Sequence, residues 1–405
     1  MGQESHHRQV QRRRVFYIPG YDPIHPRRYR ELYRKEGAAQ AVISGYEITL
    51  SAKTTGGPYG WHVAGEMDGA AAQTDVEVLV WSDIVRDSMS NSIPGTYLQL
   101  ARTAWTYIGT GALWRLMRLR KGPVIAALYP VVFLLVQLGL ALMAAYGLGR
   151  AITIVAPAWA GWAGLLIVPL LLEWFRRRDN KFFAYYLMHD YAYSARWQGA
   201  HPPELEARMA EFADRITQAL GKGYDEVLVV GHSSGAHLAV SILADMIRDG
   251  RVPENGPALG LLSLGQVVPM VSFLPKAHRL RTDLAYLCTR DELTWVDVTA
   301  PGDGCAFALC DPVSVTGVAP RSGKRWPLVL SAAFTQTLSP ERWKALRWRF
   351  FRLHFQYLCA FDQPGDYDYF RITAGPMTLA DRFEERAPSK SRIERPVNKF
   401  RGVRP

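Results

Sequence analysis

The chain is poor in the residues that would make it a secreted, metal-binding or nucleotide-binding protein. Only four cysteines occur (Cys288, Cys305, Cys310 and Cys359). None forms a Cys-x-x-Cys pair, which excludes a zinc ribbon and a disulfide framework and points to reduced thiols in a cytosolic compartment. The first ten residues are polar and lack the apolar core of a secretion signal. No dinucleotide fingerprint follows the first strand-like run, and neither Gly221-Lys222 nor Ser322-Gly323-Lys324 has the frame of a phosphate loop. Histidine-rich metal spacings and paired carboxylates are missing too, so no metal or organic cofactor is expected.

Acidic residues are in deficit, giving a net charge of +11. Residues 386–405 hold seven Lys/Arg against one Glu, so six of those charges sit in a Pro-containing segment at the end of the chain. That segment reads as a basic flexible tail over residues 387–405, and residues 1–13 read as a disordered N-terminus. No DNA- or RNA-binding motif accompanies the charge, which argues against a nucleic-acid partner. Nothing in the pattern fixes an oligomeric state.

What the sequence does hold is a core's worth of apolar residues, at 48% of 405, and two long uncharged runs. Residues 122–149 contain no charged side chain, and neither do residues 151–172. Each is long enough to cross a hydrocarbon core of about 30 Å at 1.5 Å per residue. Pro130, Pro157 and Pro169 fall inside or between them, as membrane helices tolerate. Arg115, Arg118, Arg120 and Lys121 precede the pair, Arg176, Arg177, Arg178 and Lys181 follow it, and the connection offers only Arg150. The positive-inside rule then makes a multi-pass protein of the cell membrane with two spans, its termini and remaining domain cytoplasmic and the bilayer a partner. Residues 97–120, with Trp105, Tyr107 and Trp114 among arginines, read as an interfacial helix leading into the hairpin.

Outside the hairpin, strands alternate with helices. Residues 14–18, 41–50 and 76–81 read as strands, with a helix over 26–36 and a Gly-rich loop at 56–60. Residues 203–220 carry an amphipathic pattern through Leu205, Met209, Phe212, Ile216 and Leu220. Further strands are expected at 226–230, 261–264 and 293–297. The class is α/β: a mostly parallel sheet with helices on both faces, split into residues 14–121 and 173–386 by the two-span hairpin at 122–172.

The run Gly231-His232-Ser233-Ser234-Gly235 follows one such strand and opens a helix. A sharp strand-to-helix turn would hold the Ser233 hydroxyl clear of the sheet, as a nucleophile requires, and glycines leave room for the backbone. The other reading is a tight turn in an ordinary α/β sheet, with Ser233 capping the helix. A serine nucleophile needs a base, an orienting acid and oxyanion donors. After Ser233 come three histidines. His237 sits one turn along the same helix, and His278 has few acids before it. His354, near the end of the domain, is the candidate base. It lies either beyond a strand at 347–353 or within a helix at 340–358. Asp303, in a loop just past a strand, is favoured as the acid over Asp297 within the strand, with Asp311 third. Backbone N–H groups of Ser234 and of Tyr21, in Pro19-Gly20-Tyr21 after the first strand, are the oxyanion donors.

These motifs, with Trp295 eight residues before Asp303 and His354-Phe355-Gln356-Tyr357, resemble the α/β-hydrolase superfamily, specifically bacterial serine hydrolases of the lipase/esterase type. The likeness covers residues 14–386 apart from the hairpin, which is foreign to most members. Pro19 replaces the usual His of the His-Gly oxyanion motif, and Asp297 stands where Asn is common. The resemblance implies a Ser233–His354–Asp303 triad cleaving an ester, with an acyl lipid or lipid-derived ester favoured by the location. The same triad would serve acyl transfer, and a non-catalytic membrane scaffold on this fold is the reading from another class.

Overall fold

A computed structural model describes residues 9–53, 56–89, 92–179 and 183–403. Lys181, among the basic residues flanking the second span, and residues 1–8 of the expected N-terminal segment lie outside them. Eight strands form one sheet in the order β2-β3-β4-β1-β5-β6-β7-β8. From β4 (Ala70–Val78) through β1 (Arg12–Ile18), β5 (Glu226–His232), β6 (Ala258–Leu264) and β7 (Thr294–Thr299) to β8 (Leu328–Ser331), every neighbouring pair is parallel. β2 (Glu47–Ala52) and β3 (Gly60–Met67) extend one edge antiparallel.

The centre of the sheet explains its stability. Every residue of β5 is buried, as a strand covered on both faces must be. Alternate side chains feed two cores: Phe16, Ile18, Val227 and Val229 pack on one face, Val15, Tyr17, Leu228 and Val230 on the other. Arg13 is fully buried and its Nε meets Glu226 at 2.5 Å across β1 and β5. The chain is therefore ordered from before residue 13, because β1 begins at Arg12 and Val10 is already buried.

Two expected strands are placed differently. Residues 41–44 end the helix Arg27–Ser44, since the Ala-rich turn 37–41 prolongs the helix until Gly45 takes φ 71° and donates to the Ala41 carbonyl. The edge strand is instead Glu47–Ala52. Of the expected strand at 76–81, residues 76–78 are the end of β4, paired with β3 through a two-residue turn at Asp68-Gly69, both at positive φ, while residues 79–81 lie beyond the strand.

The long segment between β4 and β5 is helical. Ile93–Gly109 and Ala112–Leu119 form two helices broken at Gly111 (φ 73°), where a single interfacial helix was expected. Trp105 and Trp114 on them are 80% and 58% exposed. The helix Lys121–Ile152 and the helical run Ala158–Arg176 are both long and apolar enough to cross a membrane. One stripe of the first (Pro130, Leu134, Gln137, Ala141, Ala145, Gly149) is buried. Small residues let the two backbones touch: a Cβ on Gly164 would stand 2.3 Å from the Ala145 carbonyl oxygen. The chain returns through Ala184–Arg196, whose Ala184, Met188 and Ala192 share a cluster with Leu134 of the hairpin.

The basic C-terminal segment is docked rather than loose. Ile393 bridges to Cys310, the Asn398 side chain donates to the Ser272 carbonyl (3.0 Å), and Arg281 donates to the Gly402 carbonyl (2.8 Å). Its backbone supplies acceptors that buried donors of the domain need.

Candidate active site

Parallel strands point their C-terminal ends to one edge of a sheet, where the following loops converge. Here the ends of β1, β5, β6 and β7 deliver Pro19-Gly20-Tyr21, Ser233, Gly265 and the loop to Asp303 to that edge.

Ser233 turns the chain from β5 into the helix Gly235–Arg248 with φ 56°, the left-handed region that ordinary residues avoid. Its N–H is held by the Leu264 carbonyl at 2.9 Å. Both flanking glycines are obligatory. A Cβ on Gly231 would lie 2.7 Å from Ala236 Cα, and one on Gly235 would lie 2.1 Å from the Ile18 carbonyl oxygen. Helix and strand are thereby drawn together, and a left-handed serine is kept where a helix-capping serine would have extended backbone.

His354 ends a short helix, Phe350–His354, and not a strand as one reading of 347–353 had it. Its Nδ1 lies 2.7 Å from Asp303 Oδ2. The same oxygen accepts from the Tyr357 hydroxyl (3.0 Å), and the Cys305 N–H donates to the other oxygen (2.8 Å). Burial alone would raise the Asp303 carboxyl, but the His354 charge and these donors hold it below its usual value. Asp303 is thus an ionised acceptor, and Nδ1 of His354 carries the proton between them. Asp297, the alternative acid, does not reach His354. It lies fully buried within β7, where Ser263 Oγ donates to it (2.5 Å), and burial pushes its carboxyl up to about 8. A neutral acid there cannot orient an imidazolium. Asp311 caps the turn Pro312–Thr316 and pairs with Lys324.

Ser233 and His354 share the same neighbours. Gly265, next to the Leu264 that holds Ser233, has φ 53°, and a Cβ on it would come within 3.1 Å of His354 Cε1. His232, beside Ser233, donates from Nε2 to the His354 carbonyl (3.0 Å), and the two rings stand 4.9 Å apart. Burial and then the His354 charge lower His232 to about 3, so it stays neutral. Among the described residues, the Ser233 hydroxyl makes no hydrogen bond, to His354 or to any other group.

The opposite wall is the loop after β1. A Cβ on Gly20 would be 3.0 Å from Ser233 Cβ, so the loop lies against Ser233. Trp81 Nε1 donates to the Pro19 carbonyl (2.9 Å), Tyr186 donates to the Tyr21 carbonyl, and the Tyr21 hydroxyl bonds Ser88 Oγ (2.6 Å). Among the described residues, the backbone N–H groups of Tyr21 and Ser234 have no protein acceptor. That leaves both free for an oxyanion.

Of the other histidines, His237 faces His201 at 5.8 Å and His278 contacts Arg281. Asp303, Cys305 and His354 offer ligand atoms within 4.8 Å of one another, so these three could hold a metal ion. Two of them, Asp303 and His354, already hydrogen-bond each other. Asp190, on the helix Ala184–Arg196, was not anticipated. It lines a cleft with Tyr21, Ser234 and His237, and burial pushes its carboxyl up to about 7. No sequence motif marks it, and only its place in a helix after the hairpin could have drawn notice.

Comparison of the chain with protein-family models, curated proteins and solved structures finds no match.

Proposed function

We propose that the chain is a serine hydrolase of the α/β-hydrolase type, held to a membrane by its hairpin and cleaving a carboxylic ester. The observation that carries this reading is Ser233, at positive φ between β5 and its helix, next to His232, whose ring stands 4.9 Å from that of His354, itself 2.7 Å through Nδ1 from an ionised Asp303. In the proposed reaction Ser233 Oγ attacks the ester carbonyl while His354 Nε2 takes its proton. The carbonyl oxygen, now negative, is received by the Tyr21 and Ser234 N–H groups. The imidazolium, steadied by Asp303, returns the proton to the leaving alcohol. Water then attacks the acyl-enzyme by the same route and frees the acid.

The membrane attachment rests on the two apolar helices and on exposed Trp159 and Trp162 at the hairpin's far end. With basic residues flanking the hairpin, the catalytic domain faces the cytoplasm, and an acyl-lipid ester is the substrate class nearest to hand. Purified protein in detergent should hydrolyse 4-nitrophenyl esters with Ser233-dependent turnover. Turnover unchanged in Ser233→Ala, or none on any chain length, would refute the proposal. Release of acid in water, without transfer to added alcohol or amine, separates hydrolysis from acyl transfer.

A further inference from the structure

The cleft beside the oxyanion loop has a feature that ester hydrolysis does not require. Its lining includes Tyr21, Trp81, Tyr193 and Asp190, together with Ser234, and its cavity volume of about 20 Å³ has room for a water-sized group such as an ammonium. The three rings are in mutual contact, with centroids 5.7 Å apart for Tyr21 and Tyr193, 6.1 Å for Tyr21 and Trp81 and 6.2 Å for Trp81 and Tyr193. Asp190 is the only carboxylate in that lining, and among the described residues its side chain makes no hydrogen bond. The imidazole of His237 in the same wall is kept neutral, lowered to about 3 by burial and then by His201. An aromatic wall with one unpartnered carboxylate is the combination that receives an ammonium ion, through ring quadrupoles and a counter-charge together.

We propose that this cleft is a subsite for a small cationic nitrogen carried by the substrate close to its scissile carbonyl, with Asp190 as counter-charge and Tyr21, Trp81 and Tyr193 as wall. The inference rests on the serine-hydrolase reading and narrows it to amino- or ammonium-bearing esters. Tyr21 and Ser234 belong both to the cleft and to the oxyanion site, so the bound nitrogen lies within a few bonds of the carbonyl. Burial raises the carboxyl of the half-buried Asp190 although the His354 charge opposes the shift, and an arriving cation would ionise it.

The test compares ester pairs that differ only in charge, on full-length protein in detergent. 3-Aminopropyl butyrate against butyl butyrate places the cation on the alcohol side. Methyl 4-aminobutyrate against methyl pentanoate places it on the acyl side. In at least one pair kcat/KM should favour the cationic ester, and Asp190→Asn should lower the cationic-to-neutral ratio about tenfold or more. Asp190→Glu should restore part of that ratio. A ratio that Asp190→Asn leaves within twofold in both pairs overturns the subsite, whatever happens to the absolute rates. Calorimetric binding of methylammonium, weakened by Asp190→Asn, reads the subsite without turnover. Its absence counts against the subsite alone. Failure of Ser233 to react with a fluorophosphonate counts against the hydrolase reading alone.

Discussion

The sheet and the helical segment inserted between β4 and β5 meet water in opposite ways. Strand β5 hides every side chain, and the loops at its end are fixed by hydrogen bonds within the domain. The hairpin leaves Ile154, Val155, Trp159 and Trp162 between 75% and 88% exposed, an apolar surface of the kind that marks membrane or protein contacts. The two regions nevertheless join at the site. On the helix leading back from the hairpin, Tyr186 bonds the loop after β1 and Asp190 lines the cleft, while Phe183 just before it lies tilted against Phe351 on the His354 helix at 5.7 Å. The insertion is therefore a wall of the candidate site as well as the proposed anchor.

The largest effects should come from the sheet side. Asp303→Asn should lower turnover about 10³–10⁴-fold by losing the ionised acceptor of the Nδ1 proton, whereas Asp297→Asn should cost less than about tenfold. Equal losses in steady-state assays of the two would break the distinction drawn between a loop acid and a strand acid. Next, deleting residues 122–172 should cut esterase activity more than tenfold even in protein that stays soluble, because Leu134 packs with Ala184 and Met188 on the return helix. Full activity in the soluble remainder would make the hairpin an anchor only.

A smaller change isolates the link itself. Tyr186→Phe removes one hydrogen bond to the Tyr21 carbonyl and should lower kcat several-fold while costing about 1 kcal/mol of stability, read by activity and denaturant titration. The last effect concerns stability against pH rather than turnover. Asp297 rises from 3.8 to about 8 in the folded state, so between those values the fold keeps a proton that the unfolded chain has released. Stability from this group is fully present below about pH 4 and falls as pH rises, by up to about 1.4 kcal/mol per unit. Asp297→Asn should flatten that slope in melts from pH 4 to 8 and gain relative stability at pH 8.

Much of this was legible in the residues. The uniform apolar run of β5, the Gly-flanked Ser233 and the helix Pro203–Leu220 announce themselves, because burial on both faces and a 3.6-residue period leave direct marks. The α/β class and the two long apolar helices were legible for the same reason. The β3–β4 hairpin was also written there, in Asp68-Gly69 between alternating residues, but the adjoining Gly-rich stretch masked it as loop. Helical continuation through residues 41–44 was obscured by β-branched Val42 and Ile43, which the preceding turn overrode. The docking of the tail, the cleft position of Asp190 and the packing of Gly265 on His354 depend on contacts between distant parts of the chain. No local pattern encodes them.

The central claim is a reactive hydroxyl at Ser233, and covalent labelling reads it most directly. Full-length protein treated with a fluorophosphonate and mapped by peptide mass spectrometry should carry its adduct on Ser233, with labelling lost in His354→Ala. An unlabelled protein beside a labelled control hydrolase, or an adduct that persists in Ser233→Ala, would contradict the account.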